Sequence, residues 1–161
     1  MTKRVLFPGS FDPCTLGHLD LIQRACRQFD EVVVAVGVNV EKKTLFGGDE
    51  RVELLEAMVA GLMGVRVVQF SGLTVRCAER ESCQAILRGV RNATDFEYEL
   101  QMGLTNRVLA PDLETICLFP DQRFTHLSSR LIREVYRFGG ETLEFLAPAV
   151  SARMKEKFRV D

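Results

Sequence analysis

The chain has 161 residues, of which 47% are apolar and 27% charged, and its 21 Lys+Arg against 22 Asp+Glu leave a net charge of -1. That length suffices to bury a real core within one domain, 1–161, and the balanced charge excludes bulk electrostatic binding of nucleic acid or of a membrane surface. With no apolar signal core of about 7–15 residues and no long apolar span, the sequence is expected to be cytoplasmic.

The first strand is expected at Arg4-Val5-Leu6-Phe7. A loop, Phe-Pro-Gly-Ser-Phe-Asp-Pro-Cys-Thr-Leu-Gly-His (7–18), leaves it and feeds a helix over about 17–28, with Thr15 as N-cap and an apolar stripe of Leu19, Ile22, Ala25, Cys26 and Phe29. Glu31 to Val38 is an unbroken apolar strand, which favours a parallel sheet covered on both faces and a right-handed strand–helix–strand crossover. The polar loop 39–48 carries Lys42 and Lys43 at the C-terminal end of that strand. A helix capped by Asp49 follows, then a strand at Val65–Phe70, a short helix over 75–81 and a strand at Ala85–Arg88. That strand runs into Arg88-Gly89-Val90-Arg91. Residues 95–109 are helical, with Phe96, Leu100, Leu104 and Val108 at i, i+4 steps that suit either the core or a subunit contact. A fifth strand is expected at Leu113–Phe119. Ser128-Ser129 opens a helix that Gly139-Gly140 ends, and the tail is helical with a break expected at Pro148. The alternation predicts a single α/β, Rossmann-like domain with a five-stranded parallel sheet flanked by helices.

In such a sheet all strand ends share one edge. Ser10, His18, Lys42, Arg88, Arg91, Ser128 and Ser129 therefore collect there. Two helix N-termini, two arginines, a lysine and a histidine suit a polyphosphate or two phosphorylated ligands. There is no Gly-x-x-x-x-Gly-Lys-[Ser/Thr] loop and no Gly-x-Gly-x-x-Gly, so neither a P-loop nor a dinucleotide fingerprint is present. The five cysteines include no Cys-x-x-Cys pair and the two histidines are far apart, so no metal site is expected from protein side chains. The thiols read as reduced and mostly buried. Cys14 draws notice because it lies inside the opening loop.

The opening loop resembles the T/HxGH motif of the nucleotidyltransferase superfamily, and Leu-Ser-Ser-Arg-Leu-Ile-Arg-Glu (127–134) resembles its second motif. Leu-Arg-Gly-Val-Arg-Asn-Ala-Thr-Asp-Phe-Glu-Tyr-Glu (87–99), with Pro-Gly-Ser-Phe-Asp-Pro and Lys42, is similar to the bacterial phosphopantetheine adenylyltransferases. The resemblance covers nearly the whole chain. It implies transfer of the adenylyl group of ATP to 4′-phosphopantetheine, giving dephospho-coenzyme A and pyrophosphate with Mg²⁺ assisting. It further implies a homohexamer and feedback by coenzyme A.

By matching positions, His18, Lys42, Arg91 and Ser129 would be catalytic. Ser10, Lys42, Thr74 and Arg88 would bind phosphopantetheine. ATP would lie among Ser10, Phe11, His18, Gly89, Val90, Arg91, Glu99 and the run Phe124, Thr125, His126, Leu127, Ser128, Ser129 and Arg130. Ser10 stands where Thr is common, Thr74 replaces a usually apolar residue, and His126-Leu127 replaces an aromatic-Ile pair. His126 reads as pocket lining rather than catalytic. Other phosphorylated acceptors, CTP in place of ATP, and a non-catalytic nucleotide-binding regulator remain alternatives. An RNA-binding module lacks the basic surface it would need.

Overall fold

The apolar runs become five parallel strands in the order β3-β2-β1-β4-β5. They are β1 (Arg4–Gly9), β2 (Glu31–Gly37), β3 (Val65–Phe70), β4 (Ala85–Gly89) and β5 (Glu114–Leu118). The computed structural model describes residues 2–39, 41 and 43–158. Helices α1 (Leu16–Ala25), α2 (Gly48–Val59), α3 (Thr74–Arg80), α4 (Ala93–Leu109), α5 (Ser129–Arg137) and α6 (Pro148–Phe158) make the connections and the tail. Short 3₁₀ turns lie at Gln122–Phe124 and Leu143–Phe145.

Strand periodicity divides the core between the two faces of the sheet. Val5, Phe7, Val32, Val34 and Val36 pack with Ile22 of α1, Leu55 of α2, Ile132 of α5 and Met154 of α6. Leu6, Val33, Ala35 and Ile86 face the other way, onto Val75, Cys77 and Ala78 of α3. The chain reverses its direction of progress between β1 and β4. There β1 pairs with β2 from Arg4↔Glu31 to Gly9↔Val36, but with β4 only at Val5↔Ala85 and Leu6↔Ile86. Above Leu6 the ladder stops and the guanidinium of Arg88 spans the gap, donating to the Pro8 carbonyl at 2.9 Å. A crevice at this switch point is where open α/β sheets place their ligands.

Several local expectations are corrected. Gly47, not Asp49, caps α2, because the Glu50 carboxylate reaches back to the Gly47 N–H at 2.9 Å and satisfies that donor without a capping side chain. The first helix ends at Ala25 rather than 28. Pro148 starts α6 instead of breaking it, a first-turn position where its missing N–H costs nothing. The stripe Phe96, Leu100, Leu104 and Val108 is not core: these side chains are 49–82% exposed. The residues that α4 buries are Glu99 and Asn106.

Candidate active site

The opening loop turns at Phe11, whose φ of 49° is unusual for a residue with a side chain. The turn tucks the Phe11 ring under the loop, edge-on to Phe7 at 5.5 Å and to His18 at 5.0 Å between ring centroids. Only glycine fits at position 9, since a Cβ there would stand 2.9 Å from Cζ of Phe11. Thr15 then caps α1. Its Oγ1 accepts from the His18 N–H at 3.3 Å, and its own N–H donates to Nδ1 of His18 at 3.0 Å. The second bond fixes the imidazole chemistry. An Nδ1 that accepts must be unprotonated, so the ring proton sits on Nε2. Burial, and next the Arg91 charge, lower the His18 pKa to about 4, so the ring is neutral at pH 7. His18 is thus an oriented neutral donor at the start of a helix.

From the end of β4 come the two arginines. Arg88 makes a two-pronged ion pair with Glu99 of α4, 2.6 Å on each arm. Arg91 is held by Asp95 through Nε at 2.8 Å and donates from Nη1 to the Leu127 carbonyl. Both guanidiniums are thereby aimed before any anion arrives. Across the crevice Ser128 caps α5, its Oγ accepting from the Leu131 N–H at 3.0 Å, while Ser129 Oγ donates to the Pro13 carbonyl at 2.7 Å. That bond and one from Arg133 to the Asp12 carbonyl fasten the start of α5 to the opening loop. The positive ends of α1 and α5 are therefore held side by side.

Two cavities result. One, of about 250 Å³, is lined by Phe11, His18, Arg88, Gly89, Arg91, Glu99, Phe124, Leu127, Ser128 and Ser129. The other, of about 280 Å³, is lined by Ser10, Phe70, Thr74, Tyr98, Met102 and Asn106. They share a wall of Pro8, Gly9, Arg88 and Glu99. Four expected residues line neither. Val90 is buried and donates its N–H to the Leu118 carbonyl at 2.9 Å. Thr125 Oγ1 donates to the Gln122 carbonyl at 2.9 Å. His126 is exposed, with its ring edge-on to Phe145 at 5.4 Å. Arg130 is exposed beyond the cavity rim. Lys42 lies outside the described residues. Cys14 is fully buried, and burial pushes its thiol up to about 12, which leaves it inert at neutral pH.

Sequence reading missed the residues that hold this arrangement. The Asp12 carboxylate accepts from the N–H groups of Leu45 and Phe46 at 2.8 and 2.9 Å, tying these two residues to the opening loop. Asp20 of α1 accepts from the Asp121 N–H at 3.0 Å and so steadies the turn that carries Phe124. Asp12 had a signal, its place in the Phe-Asp-Pro motif. Asp20 had none, since an acid on an amphipathic helix reads as solvated surface.

Comparison with known proteins bears on the family and the fold. The family model described as Cytidylyltransferase-like matches residues 6–135. A phosphopantetheine adenylyltransferase of Heliobacterium modesticaldum is 46% identical over 95% of this chain and 91% of its own length. One from Synechococcus sp. strain CC9311 is 50% identical over 96% of each chain. One from Prochlorococcus marinus strain MIT 9303 is 51% identical over 93% of this chain and 95% of its own. A crystal structure from Vibrio parahaemolyticus, provisionally named as a nicotinate-nucleotide adenylyltransferase, superposes with a TM-score of 0.73 over 100% of this chain and 98% of that one. At 16% identity it speaks for the fold alone. With a matching family model over most of its length and relatives near half identity end to end, the chain belongs to the cytidylyltransferase-like family and, within it, to the phosphopantetheine adenylyltransferases.

Proposed function

We propose that this enzyme transfers the adenylyl group of ATP to 4′-phosphopantetheine, forming dephospho-coenzyme A and pyrophosphate, within one domain spanning 1–161. The observation that carries the reading is the shared wall. A cavity that holds His18, Arg91 and the start of α5 adjoins a second one where Phe70, Tyr98 and Met102 stand among the polar Ser10, Thr74 and Asn106, and Arg88 belongs to both. A triphosphate suits the first, an uncharged thiol-bearing arm suits the second, and the two phosphates to be joined meet at Arg88.

The nucleophile is a phosphate whose second pKa is about 6, so it is largely dianionic at neutral pH and needs no base. One of its oxygens bonds to the α-phosphorus of ATP as the bond to the bridging oxygen breaks and pyrophosphate departs in line. Catalysis is then positioning and charge stabilisation. His18 donates from Nε2 to the α-phosphate as charge builds there. Lys42 bridges the attacking and the α-phosphate. Ser10 and Arg88 hold the acceptor phosphate, and Thr74 flanks the pantetheine arm. Arg91, Gly89 and Phe11 lie on the ATP side, and Glu99 stands in the wall between the two substrates. Phe124, Leu127, Ser128 and Ser129 face the adenine and outer phosphates, with Ser129 on the latter.

Nucleotidyl transfer of this family generally uses a divalent metal, and we take Mg²⁺ as that ion. Among the described residues no three His, Cys, Asp or Glu side chains cluster, so the fit is to an ion that enters on the triphosphate with its waters rather than to a protein cage. Bound there, it supplies charge neutralisation across the phosphates. The outward stripe of α4 offers a face for a subunit contact, and we take the assembly to be a homohexamer. Feedback by coenzyme A would act through the acceptor cavity. No helix among the described residues is long and apolar enough to cross a membrane, and we assign the enzyme to the cytoplasm. A pyrophosphate-release assay across ATP, CTP and several phosphorylated acceptors tests the reading. Turnover is expected with ATP plus phosphopantetheine, and its absence defeats the assignment.

A further inference from the structure

Arg51 is among the largest fully buried side chains of the molecule, 2% exposed in the first turn and a half of α2. Its Nη1 donates to the carbonyls of Ser10 at 2.8 Å and Gly37 at 3.0 Å, and its Nε to that of Gly47 at 3.3 Å. One guanidinium thus joins the ends of β1 and β2 to the start of α2. Buried cations are ordinarily matched by a carboxylate, because desolvating an unmatched charge is costly. Among the described residues no carboxylate lies in ion-pairing reach of this one. Its neighbour Glu50 is taken by Arg153 and Lys157, and Asp12 of the opening loop faces Arg133 at 3.6 Å. Carbonyl dipoles take three of its five N–H groups and leave its charge in place, against the Ser10 carbonyl.

We propose that Arg51 is a hidden positioning residue of the acceptor-phosphate site, holding the Ser10 backbone while lending a positive charge whose counter-anion is the bound phosphate. The proposal rests on the adenylyl-transfer reading. Two effects follow from one side chain. The fork sets where Ser10 stands by tying it to Gly37 and Gly47. The charge acts through a low-dielectric interior, where screening by salt is weak. A lysine keeps the charge but lacks the planar fork, and a methionine keeps the apolar stem without either.

Wild-type enzyme, Arg51→Lys and Arg51→Met are compared by circular dichroism, by steady-state kinetics, and by calorimetric binding of phosphopantetheine and of unphosphorylated pantetheine. Arg51→Met is expected to raise KM for phosphopantetheine about tenfold or more while pantetheine binding moves less than about threefold. Arg51→Lys is expected to return that KM to within about threefold of wild type with kcat still about tenfold low, since the charge is restored and the alignment is not. Equal losses for both ligands, or no loss in a folded Arg51→Met, overturn the proposal. If Arg51→Met does not fold, Arg51→Lys decides alone: wild-type kcat and KM together overturn it, and the split between them supports it. Failure of the wild-type enzyme to turn over strikes the underlying reading instead, so the two failures are separable.

Discussion

The backbone N–H of Thr15 donates to Nδ1 of His18 at 3.0 Å, so the capping geometry of a helix also chooses the tautomer of the imidazole. The donor face, Nε2–H, is left for the ligand. His18→Ala should lower kcat about 10²–10³-fold while KM for ATP stays within about threefold, since the bond strengthens as the α-phosphate gains charge. A matched fall in ATP affinity with turnover preserved would make His18 a ground-state ligand instead. Steady-state kinetics at saturating phosphopantetheine makes the distinction.

His18 also links stability to pH. Its pKa is lowered from 6.5 to about 4 in the folded chain, chiefly by burial. Between those values the unfolded chain binds a proton that the folded chain refuses. Stability contributed by this group is therefore complete above pH 6.5 and falls as pH drops toward 4, by on the order of 3 kcal/mol at most. Thermal unfolding of wild type and His18→Gln at pH 7.5 and pH 5 isolates the effect from other titrating groups. The drop in Tm on acidification should be smaller in the variant.

Glu99 grips Arg88 with both oxygens and is 7% exposed. Removing that carboxylate frees Arg88 from the wall between the cavities. Glu99→Gln should raise KM for phosphopantetheine about tenfold and cost about 1–3 kcal/mol of stability, the penalty for leaving a half-buried cation poorly matched. Denaturant unfolding beside kinetics separates the two. If KM for ATP alone moved, Glu99 would act on the nucleotide directly.

Gly9→Ala tests the packing beneath the loop. The new Cβ meets the Phe11 ring at 2.9 Å, and that ring is wedged against Phe7 and His18. Relief must displace Phe11, and His18 with it. A stability loss of about 1–3 kcal/mol and a fall in kcat of at least about tenfold are expected.

The outward face of α4 predicts the assembly. Leu104→Asp and Val108→Asp, at positions 57% and 82% exposed in the chain by itself, should leave the fold intact and lower the oligomer mass in light scattering. An unchanged mass would move any subunit interface elsewhere.

The strands were legible because a parallel sheet buries both faces, and runs such as Val32–Val36 have no other use. The two helix starts and the two arginines were legible from residue types at strand ends. The orientation of α4 was not. Periodicity says that Phe96, Leu100 and Leu104 share a face, but not which way it looks, and here an ion pair with Arg88 turned Glu99 inward. Arg51 was equally hidden. In the string of letters it is one more charge on an amphipathic helix, and only the fold shows it surrounded by carbonyls.

A histidine that starts neutral and keeps its proton has a consequence for direction. In the proposed mechanism His18 lends a hydrogen bond and exchanges nothing with the reactants, so it is in the same state before and after the transfer. Pyrophosphate and dephospho-coenzyme A should then meet the same competent residue, and ATP synthesis from them should run at neutral pH without any step to reset it.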